Sequence, residues 1–197
     1  MSYDLGDILL RRGTYKQKQK RVPKGSIAHH VVDEEKKEGG DSNRIRVASR
    51  HINKMHNPVD DNYDCLVHLR VGDMLQESHK NREGWKDKVN KNAFDIGVEA
   101  NSCSNVLIVA GRHKKIMEKE SHQYINKIKS QIGPHKTTIR YTANPDYKSA
   151  DNDFITISTF EGRVVHGAGG FYESAMKVRE YNNDNAEHKK KEDRIGV

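Results

Sequence analysis

The chain has 197 residues, of which 34% are hydrophobic and 32% charged, and its formal net charge at pH 7 is +7. This length accommodates one domain, or two small ones, with a buried core. No apolar run approaches the roughly 18 residues of a membrane span, the first residues lack the pattern of a secretory signal, and two cysteines are too few for a disulfide scaffold. The composition therefore excludes a membrane protein, a collagen-like fibre and a cystine-rich secreted module, and it predicts a reduced, cytoplasmic protein.

The basic residues are concentrated in two places, the segment from Arg11 to Lys24 and the tail run Lys189–Lys191. Such an excess favours an anionic partner, which can be a nucleic acid, a phosphorylated substrate or a sugar nucleotide. Only Tyr15 is interleaved with the first basic segment, and this weakens the case for a surface that stacks single-stranded bases. A solvated loop and a frayed terminus are the preferred explanation of the two segments, ahead of an arm that binds nucleic acid.

Residues 1–60 read as an irregular N-terminal part with a few short elements. The apolar spacing of Leu5, Ile8 and Leu9 predicts one or two helical turns. Further along, the pattern predicts a strand over Ser26–Val32, a charged loop over residues 33–41, and a helix from about Asn43 to Met55.

From Asp64 onward the pattern is regular, and strands alternate with helices. The predicted strands are 65–69, 106–110, 137–141, 154–157 (a strand or buried turn) and 163–166; the predicted helices are 113–132 and 171–181, with a turn or short helix at 145–150. This order is typical of an α/β domain with a Rossmann-like, mainly parallel sheet. We expect a single domain over residues 1–181 with its core in 64–181, and a disordered basic tail over 182–197.

One polar cluster follows the strand at 65–69, at the edge where parallel sheets bind ligands. Strand alternation places His68 and Arg70 on one face. Arg70 can clamp a diphosphate with two parallel hydrogen bonds, and His68 can add another. Gly72 permits a sharp turn, and Asp73 can orient the guanidinium or contact a substrate. The alternative is an ordinary Arg70–Asp73 ion pair beside a core histidine.

A second cluster precedes the last helix and consists of Gly167, Ala168, Gly169 and Gly170, followed by Phe171. Backbone N–H groups at such a helix start favour phosphate. The segment matches neither the dinucleotide fingerprint nor a P-loop. A tight strand-to-helix turn without a ligand is therefore the alternative.

Taken together, the two clusters resemble the fucosyltransferase superfamily. The pattern His68-x-Arg70-x-Gly72-Asp73 after an apolar strand is similar to that superfamily's H-x-R-x-G-D-type motif. The stretch from Asp153 to Phe171 is similar to its closing motif, in which an Asp-rich turn and a short strand lead to a small-residue loop that opens a helix. The resemblance covers roughly residues 64–180.

The resemblance implies the C-terminal, nucleotide-binding half of a GT-B glycosyltransferase. Such an enzyme is inverting and metal-independent, and it transfers a sugar from GDP-fucose or a related GDP-sugar to a glycan or other hydroxyl acceptor. By the same resemblance, Arg70 holds the β-phosphate with His68 beside it, Asp153 lies near the guanine, and the loop from Gly167 to Phe171 binds diphosphate oxygens.

The chain also departs from the family pattern. Val71 stands where many members have a second arginine, and Gly169 and Gly170 stand where the closing loop usually has serines. Residues 1–60 are too few for a full acceptor domain. The resemblance is therefore compatible with a minimal enzyme, with part of an assembly, or with a pseudo-enzyme that binds without turnover.

An inverting transfer needs a base close to the acceptor hydroxyl. Asp73 and Glu77 are the predicted catalytic candidates because they follow Arg70 on the loop that faces the site, although Glu77 also fits a solvated loop carboxylate. No histidine or cysteine spacing matches a metal site, so we expect no metal and no cofactor. A non-enzymatic binder of nucleic acid or another polyanion, using residues 11–24 and the tail, is the alternative function.

Overall fold

A computed structural model describes residues 5–10, 22–38, 44–55, 62–75, 85–113, 116–143, 146–167 and 169–195. Its centre is a four-stranded sheet of β1 (Cys65–Gly72), β2 (Val106–His113), β3 (Thr137–Thr142) and β4 (Arg163–His166). The strand order is β3-β2-β1-β4, and each adjacent pair is parallel. The predicted α/β class with a Rossmann-like parallel sheet is therefore confirmed.

The described helices cover both faces of this sheet. They are α1 (Leu5–Leu10), α2 (Ile27–Glu38), α3 (Arg44–Met55), α4 (Trp85–Glu99), α5 (Glu118–Ile132), α6 (Tyr147–Thr159) and α7 (Gly169–Ile195). Short 3₁₀ turns are formed by Asp73–Leu75, Ala100–Ser102 and Pro134–Lys136. Among the described helices, none is both long and apolar enough to cross a membrane.

Two hydrophobic cores form, one on each face of the sheet. On what we call the front face, Leu66 and Val109 pack with α1, α2, α3, α6 and α7. On the back face, Val67 and Ile108 pack with α4 and α5. The central strand β1 is buried on both sides, as expected for a parallel strand covered by helices on two faces. Alternation from Leu66 places His68 and Arg70 on the front face, as predicted.

The strand predicted over Ser26–Val32 is wrong, because these residues begin α2, which continues to Glu38 through most of the predicted charged loop. The Ser26 hydroxyl accepts a hydrogen bond from the His29 backbone N–H at 3.1 Å, which is the contact of a helix N-cap. The buried apolar residues are Ile27, Ala28, Val31 and Val32. Their spacing fits one helix face, and a short apolar run does not by itself separate strand from helix.

The strand or turn predicted over Phe154–Ile157 is also wrong, because these residues lie inside α6. The helix begins with a reciprocal cap, in which the Asp146 carboxylate accepts from Ser149 N–H at 2.8 Å while Asp146 N–H donates to Ser149 Oγ at 2.9 Å. The turn predicted at 145–150 is thus the first turn of a longer helix. Tertiary packing of Phe154 and Ile157 on the front core decides the conformation.

The boundaries of three predicted elements also differ. Strand β2 continues past Gly111 to His113, and α5 begins at Glu118 instead of His113. Helix α7 begins at Gly169 and extends to Ile195, where the sequence predicted a disordered tail from residue 182. Its last part contains three lysines, two glutamates and one alanine, which are strong helix formers, so the helix continues beyond its packed part. The other strands and α3 were predicted within a few residues.

The two cysteines form a disulfide, so the expectation of reduced thiols is contradicted. Cys65 at the start of β1 is bonded to Cys103, with 6.0 Å between their Cα atoms and 38 residues between them in sequence. Beside the bond, the Asp64 carboxylate accepts backbone N–H groups of Ser104 and Asn105 at 2.7 and 2.8 Å. The amino end of β1 is therefore tied to the segment that leads into β2.

Candidate functional site

The sheet topology points to one place for a ligand. The strand order reverses between β1 and β4, and α6 and α7 accordingly lie on the front face, whereas α4 and α5 lie on the back. In open parallel sheets, ligands bind at the carboxyl ends of the strands where the order reverses. The cluster around Arg70 ends β1, and the glycine segment follows β4. The two clusters predicted from sequence thus meet at the reversal point.

The site that results is built around two glycines. Apart from its chain neighbours and the backbone of its own helix, an ideal Cβ placed on Gly169 would have one described atom within 4 Å, the Nη1 of Arg70 at 3.7 Å. Apart from its chain neighbours, an ideal Cβ placed on Gly111 would likewise have one, the Oδ2 of Asp153 at 4.0 Å. Gly111 is the β2 partner of Arg70 in the strand register. Both distances are ordinary van der Waals contacts, so each position has room for a methyl-sized group. We call the region bounded by Arg70, Gly111, Asp153 and Gly169 the crevice.

Arg70 is held by Asp73 through two hydrogen bonds, Nη2 to Oδ2 at 2.7 Å and Nε to Oδ1 at 3.3 Å. Gly72 between them has a positive φ of 85°, which only glycine adopts at little cost, so the predicted sharp turn is present. The Asp73 side chain is 8% exposed, whereas that of Arg70 is 40% exposed. The pair therefore fixes one edge of a guanidinium that still reaches the crevice.

His68 lies deeper on the same strand and is buried. Its ring stacks against Phe171 and Tyr172 at the start of α7, with ring centroids 5.7 and 6.1 Å apart. Burial lowers the pKa of His68 to about 4, helped by the nearby positive charges of His166 and Arg70, so the imidazole is neutral at pH 7. Its buried Nδ1 has no hydrogen-bond partner, which is uncommon for a buried polar atom.

The small residues of the glycine segment have packing reasons of their own. A Cβ on Gly167 would lie 2.0 Å from the Tyr172 ring, and Gly169 has a positive φ of 82°. A Cβ on Gly6 of α1 would lie 2.4 Å from the carbonyl carbon of Gly170, so α1 supports the start of α7 backbone against backbone. No local sequence pattern pointed to a role for Gly6. The alternative of a tight turn is therefore partly correct, and the turn also places the start of α7 beside Arg70.

Asp153 is mostly buried on α6, with its Oδ1 3.1 Å from the Nη2 of Arg140 on β3. Burial raises the pKa of Asp153 to about 6, and this effect outweighs the opposing influence of Arg140. Arg140 also donates to Thr156 Oγ1 at 2.7 Å, which holds the guanidinium against α6. Asp153 thus lies within a helix and not on the turn before a strand that the sequence predicted. Nearby Asp151 instead accepts from the first N–H of α2, at Ile27.

Several predicted functional residues fall outside the described part of the chain. These are Glu77, Ala168, most of the basic segment 11–24 and the side chains of Lys189–Lys191. The catalytic assignment of Glu77 and the polyanion-binding segments therefore stay predictions. Of the predicted site residues that are described, Arg70 and Asp73 pair with each other, and His68 contacts Phe171. Asp153 lies beside Gly111, the strand partner of Arg70.

A group of metal-ligating residue types occurs at the opposite, amino edge of the sheet. Potential ligand atoms of Asp64, Cys65 and Cys103 lie within 4.8 Å of one another. Both sulfurs belong to the disulfide, and metal binding by cysteine requires thiolates. This group is therefore a structural clamp in the oxidised protein.

No protein-family model, curated protein or solved structure matches the chain. Relatives therefore assign no role to any residue, and the roles must follow from the contacts. The arrangement at the crevice offers a held guanidinium, a helix start, a neutral buried imidazole and a buried carboxyl group around an open space. These groups can bind an anion on one side and exchange a proton on the other.

Proposed function

We propose that the protein binds a nucleotide-activated sugar, GDP-fucose or a related GDP-sugar, through its diphosphate, and transfers the sugar to a glycan or other hydroxyl acceptor with inversion. The observation that carries the proposal is the position of Arg70. Its Nη1 lies 3.7 Å from the Cβ position of Gly169, the first residue of α7. A cation and the positive end of a helix dipole thus face the same space.

Two positive groups so close together favour an anion between them. The N–H groups at a helix start carry a partial positive charge, and no acidic side chain lies in the first turn of α7 to offset it. Asp73 orients Arg70 from one edge, which suits the two-pronged contact that a guanidinium makes with phosphate oxygens. The unpartnered Nδ1 of His68, under Phe171, supplies a further polar atom beneath the helix start.

The nucleotide and sugar parts of the proposal come from the resemblance. The fucosyltransferase-like residues His68, Arg70, Gly72 and Asp73 converge with the loop from Gly167 to Phe171, at the point where the strand order reverses. A diphosphate at this point is what the resemblance implies. In this proposal the reaction needs no metal, because Arg70 and the helix start offset the charge of the departing diphosphate.

The location of the protein in the cell is a separate matter. A cytoplasmic location stays a prediction, and the disulfide between Cys65 and Cys103 argues against it, because such bonds persist mainly in oxidising compartments. Alkylation of free thiols during cell lysis, followed by mass measurement, tests this directly. A protein with two alkylated cysteines supports the cytoplasmic prediction, and an unalkylated protein contradicts it.

The ligand class is tested by a thermal-shift panel of GDP-fucose, GDP, GMP, UDP and inorganic sulfate. A ligand that binds only the folded state raises the melting temperature. We expect GDP and GDP-fucose to raise it most, GMP less, and sulfate least, because only the first two carry a guanosine diphosphate.

The same panel at several salt concentrations distinguishes the proposed function from the alternative, a non-enzymatic binder of nucleic acid or another polyanion. A polyanion binder would respond to a DNA or RNA oligonucleotide with an affinity that falls steeply and linearly in log salt. Stabilisation by the oligonucleotide together with no response to GDP would overturn the nucleotide-sugar proposal. If the protein binds GDP-fucose but releases no GDP from it, the protein is a pseudo-enzyme that binds the donor without turnover.

A further inference from the structure

The carboxyl group of Asp153 is placed differently from the other carboxyl group of the site. Both oxygens of Asp73 face the Arg70 guanidinium. Asp153 has one oxygen, Oδ1, engaged by Arg140 at 3.1 Å, and no described residue donates a hydrogen bond to the other. That second oxygen, Oδ2, lies 4.0 Å from the position that a Cβ on Gly111 would occupy.

The strand register shows how this oxygen is placed relative to Arg70, the proposed phosphate-binding residue. Gly111 on β2 pairs with Arg70 on β1, and Asp153 is bound to Arg140 on β3, the strand on the other side of β2. The glycine therefore lies on the strand between those that carry the two arginines. Neighbouring strands lie about 4.8 Å apart. Since Gly111 has no side chain, a small group can sit above it and touch both the ligand held by Arg70 and Oδ2 of Asp153.

We propose that Asp153 is the catalytic base of the crevice and that its Oδ2 accepts the proton of the acceptor hydroxyl. This inference rests on the proposed function. It differs from the sequence prediction, which placed the base at Asp73 or Glu77 and placed Asp153 near the guanine.

The step is balanced as follows. The acceptor O–H bond breaks, its proton passes to Oδ2 of Asp153, and the acceptor oxygen forms a bond to the anomeric carbon of the sugar. The bond from that carbon to the β-phosphate oxygen breaks with its electron pair, and GDP leaves with the charge that Arg70 and the start of α7 face. Water can take the place of the acceptor, in which case the free sugar and GDP are released.

The electrostatic surroundings agree with this role. Arg140 of β3 is the charged group in direct contact with Asp153, while Arg70 and Asp73 lie on the far side of Gly111. Because burial raises its pKa to about 6, the carboxyl group is mostly ionised at pH 7 and is still a stronger proton acceptor than an ordinary aspartate. Arg140 and Thr156 fix the orientation of the group.

The test is the release of GDP from GDP-fucose with water as acceptor, measured for the wild type, Asp153→Asn and the control Asp184→Asn. Asp184 is an exposed carboxyl group on α7. Asparagine keeps an oxygen for Arg140 and loses the base, so we expect turnover to fall about 100-fold or more. GDP affinity, from calorimetric titration, should change less than about threefold, since the diphosphate side is intact.

The pH dependence gives a second readout. A base must be ionised to work, so kcat/KM of the wild type should rise with pH through a midpoint near 6 and then level off. The residual activity of Asp153→Asn should lack this rise. A purely structural role for Asp153 would lower turnover and GDP affinity together and leave the shape of the profile unchanged.

The outcomes separate the inference from the function on which it rests. Normal turnover by Asp153→Asn, or a parallel loss of turnover and GDP affinity, overturns the role of Asp153 alone. If the wild type binds GDP but releases none from GDP-fucose, both the role of Asp153 as base and the proposed sugar transfer are overturned. Only the nucleotide-binding part of the proposed function then remains. A wild type that does not bind GDP overturns the proposed function itself.

Discussion

The two edges of the sheet differ in how fully their polar groups are used. At the amino edge, Cys65 is bonded to Cys103, and both carboxylate oxygens of Asp64 accept backbone N–H groups. At the carboxyl edge, the Nδ1 of His68 has no partner and two glycine positions open onto charged atoms. One edge is satisfied by its own chain, whereas the other has polar groups that a ligand can satisfy. The contrast assigns stability to the amino edge and function to the carboxyl edge.

The disulfide gives the largest expected effect at the amino edge. Removing it in a Cys65→Ser/Cys103→Ser double variant should cost about 3 kcal/mol of unfolding free energy, the usual value for a bond of this kind. Urea denaturation with and without a phosphine reductant measures this, and the double variant, which has no bond, should not respond to the reductant. GDP affinity should stay within about twofold in both conditions. A large loss of affinity on reduction would show that the two edges are coupled.

At the carboxyl edge, Asp153 should lower stability as pH rises. Its folded pKa of about 6 is higher than the model-peptide value of 3.8, so the folded state binds the proton more tightly and loses this advantage as pH passes 6. Asp153→Asn should therefore match the wild type near pH 4 and exceed it at pH 7, by up to about 3 kcal/mol. Urea denaturation of both proteins at each pH isolates the effect from that of His68. Equal differences at pH 4 and pH 7 would contradict it.

The position above Gly111 can be filled without substituting a charged residue. Gly111→Val adds a side chain that a strand tolerates well, and its Cβ would make ordinary contact with Asp153 at 4.0 Å. We expect the protein to fold and GDP-fucose affinity to fall about tenfold or more, because the sugar would meet the valine. Gly97→Ala is unsuitable as a control, since its Cβ would lie 2.7 Å from Gln131; Val98→Ile, on the exposed side of α4, serves instead. If Gly111→Val bound GDP-fucose with unchanged affinity, the crevice would not be the site of the sugar.

The end of α7 should have the smallest effect. Residues 183–187 are exposed, whereas Asn182 contacts Ser49. Deleting residues 184–197 should therefore shift the melting temperature by no more than about 2 °C, because little apolar surface is removed from the core. Differential scanning calorimetry of the two chains measures the shift. A drop of many degrees would show that the tail packs on the domain.

Local patterns predicted the parts of the fold that depend on local sequence. The apolar runs at β1 and β2 and the helix at α3 are recognisable because their periodicity is long or their burial is two-sided. The runs in α2 and α6 are short and apolar, and their helical state depends on packing against the front face. The disulfide could not be predicted for the same reason, because two cysteines 38 residues apart in sequence are brought to a Cα distance of 6.0 Å only by the tertiary fold.

The candidate site divides in the same way. The cluster around Arg70 and the glycine segment were predicted because each follows a predicted strand, at the edge where parallel sheets bind ligands. Gly6, Gly111 and the Arg140–Asp153 contact were missed because each depends on which elements become neighbours in three dimensions. A glycine in an apolar strand, as at position 111, is the one local signal that could have been followed, since such a glycine often marks close approach of a ligand.

The central claim is that Arg70 holds a diphosphate at the start of α7. Calorimetric titration of GDP into the wild type, Arg70→Lys, Arg70→Ala and the control Arg50→Lys, an exposed position on α3, tests it most directly. We expect Arg70→Lys to weaken GDP binding about tenfold or more, because an ammonium group cannot reproduce the planar two-pronged contact, and Arg70→Ala to weaken it further. Arg50→Lys should bind like the wild type. Equal affinities in all four folded proteins, or no binding of GDP by the wild type, would contradict the claim.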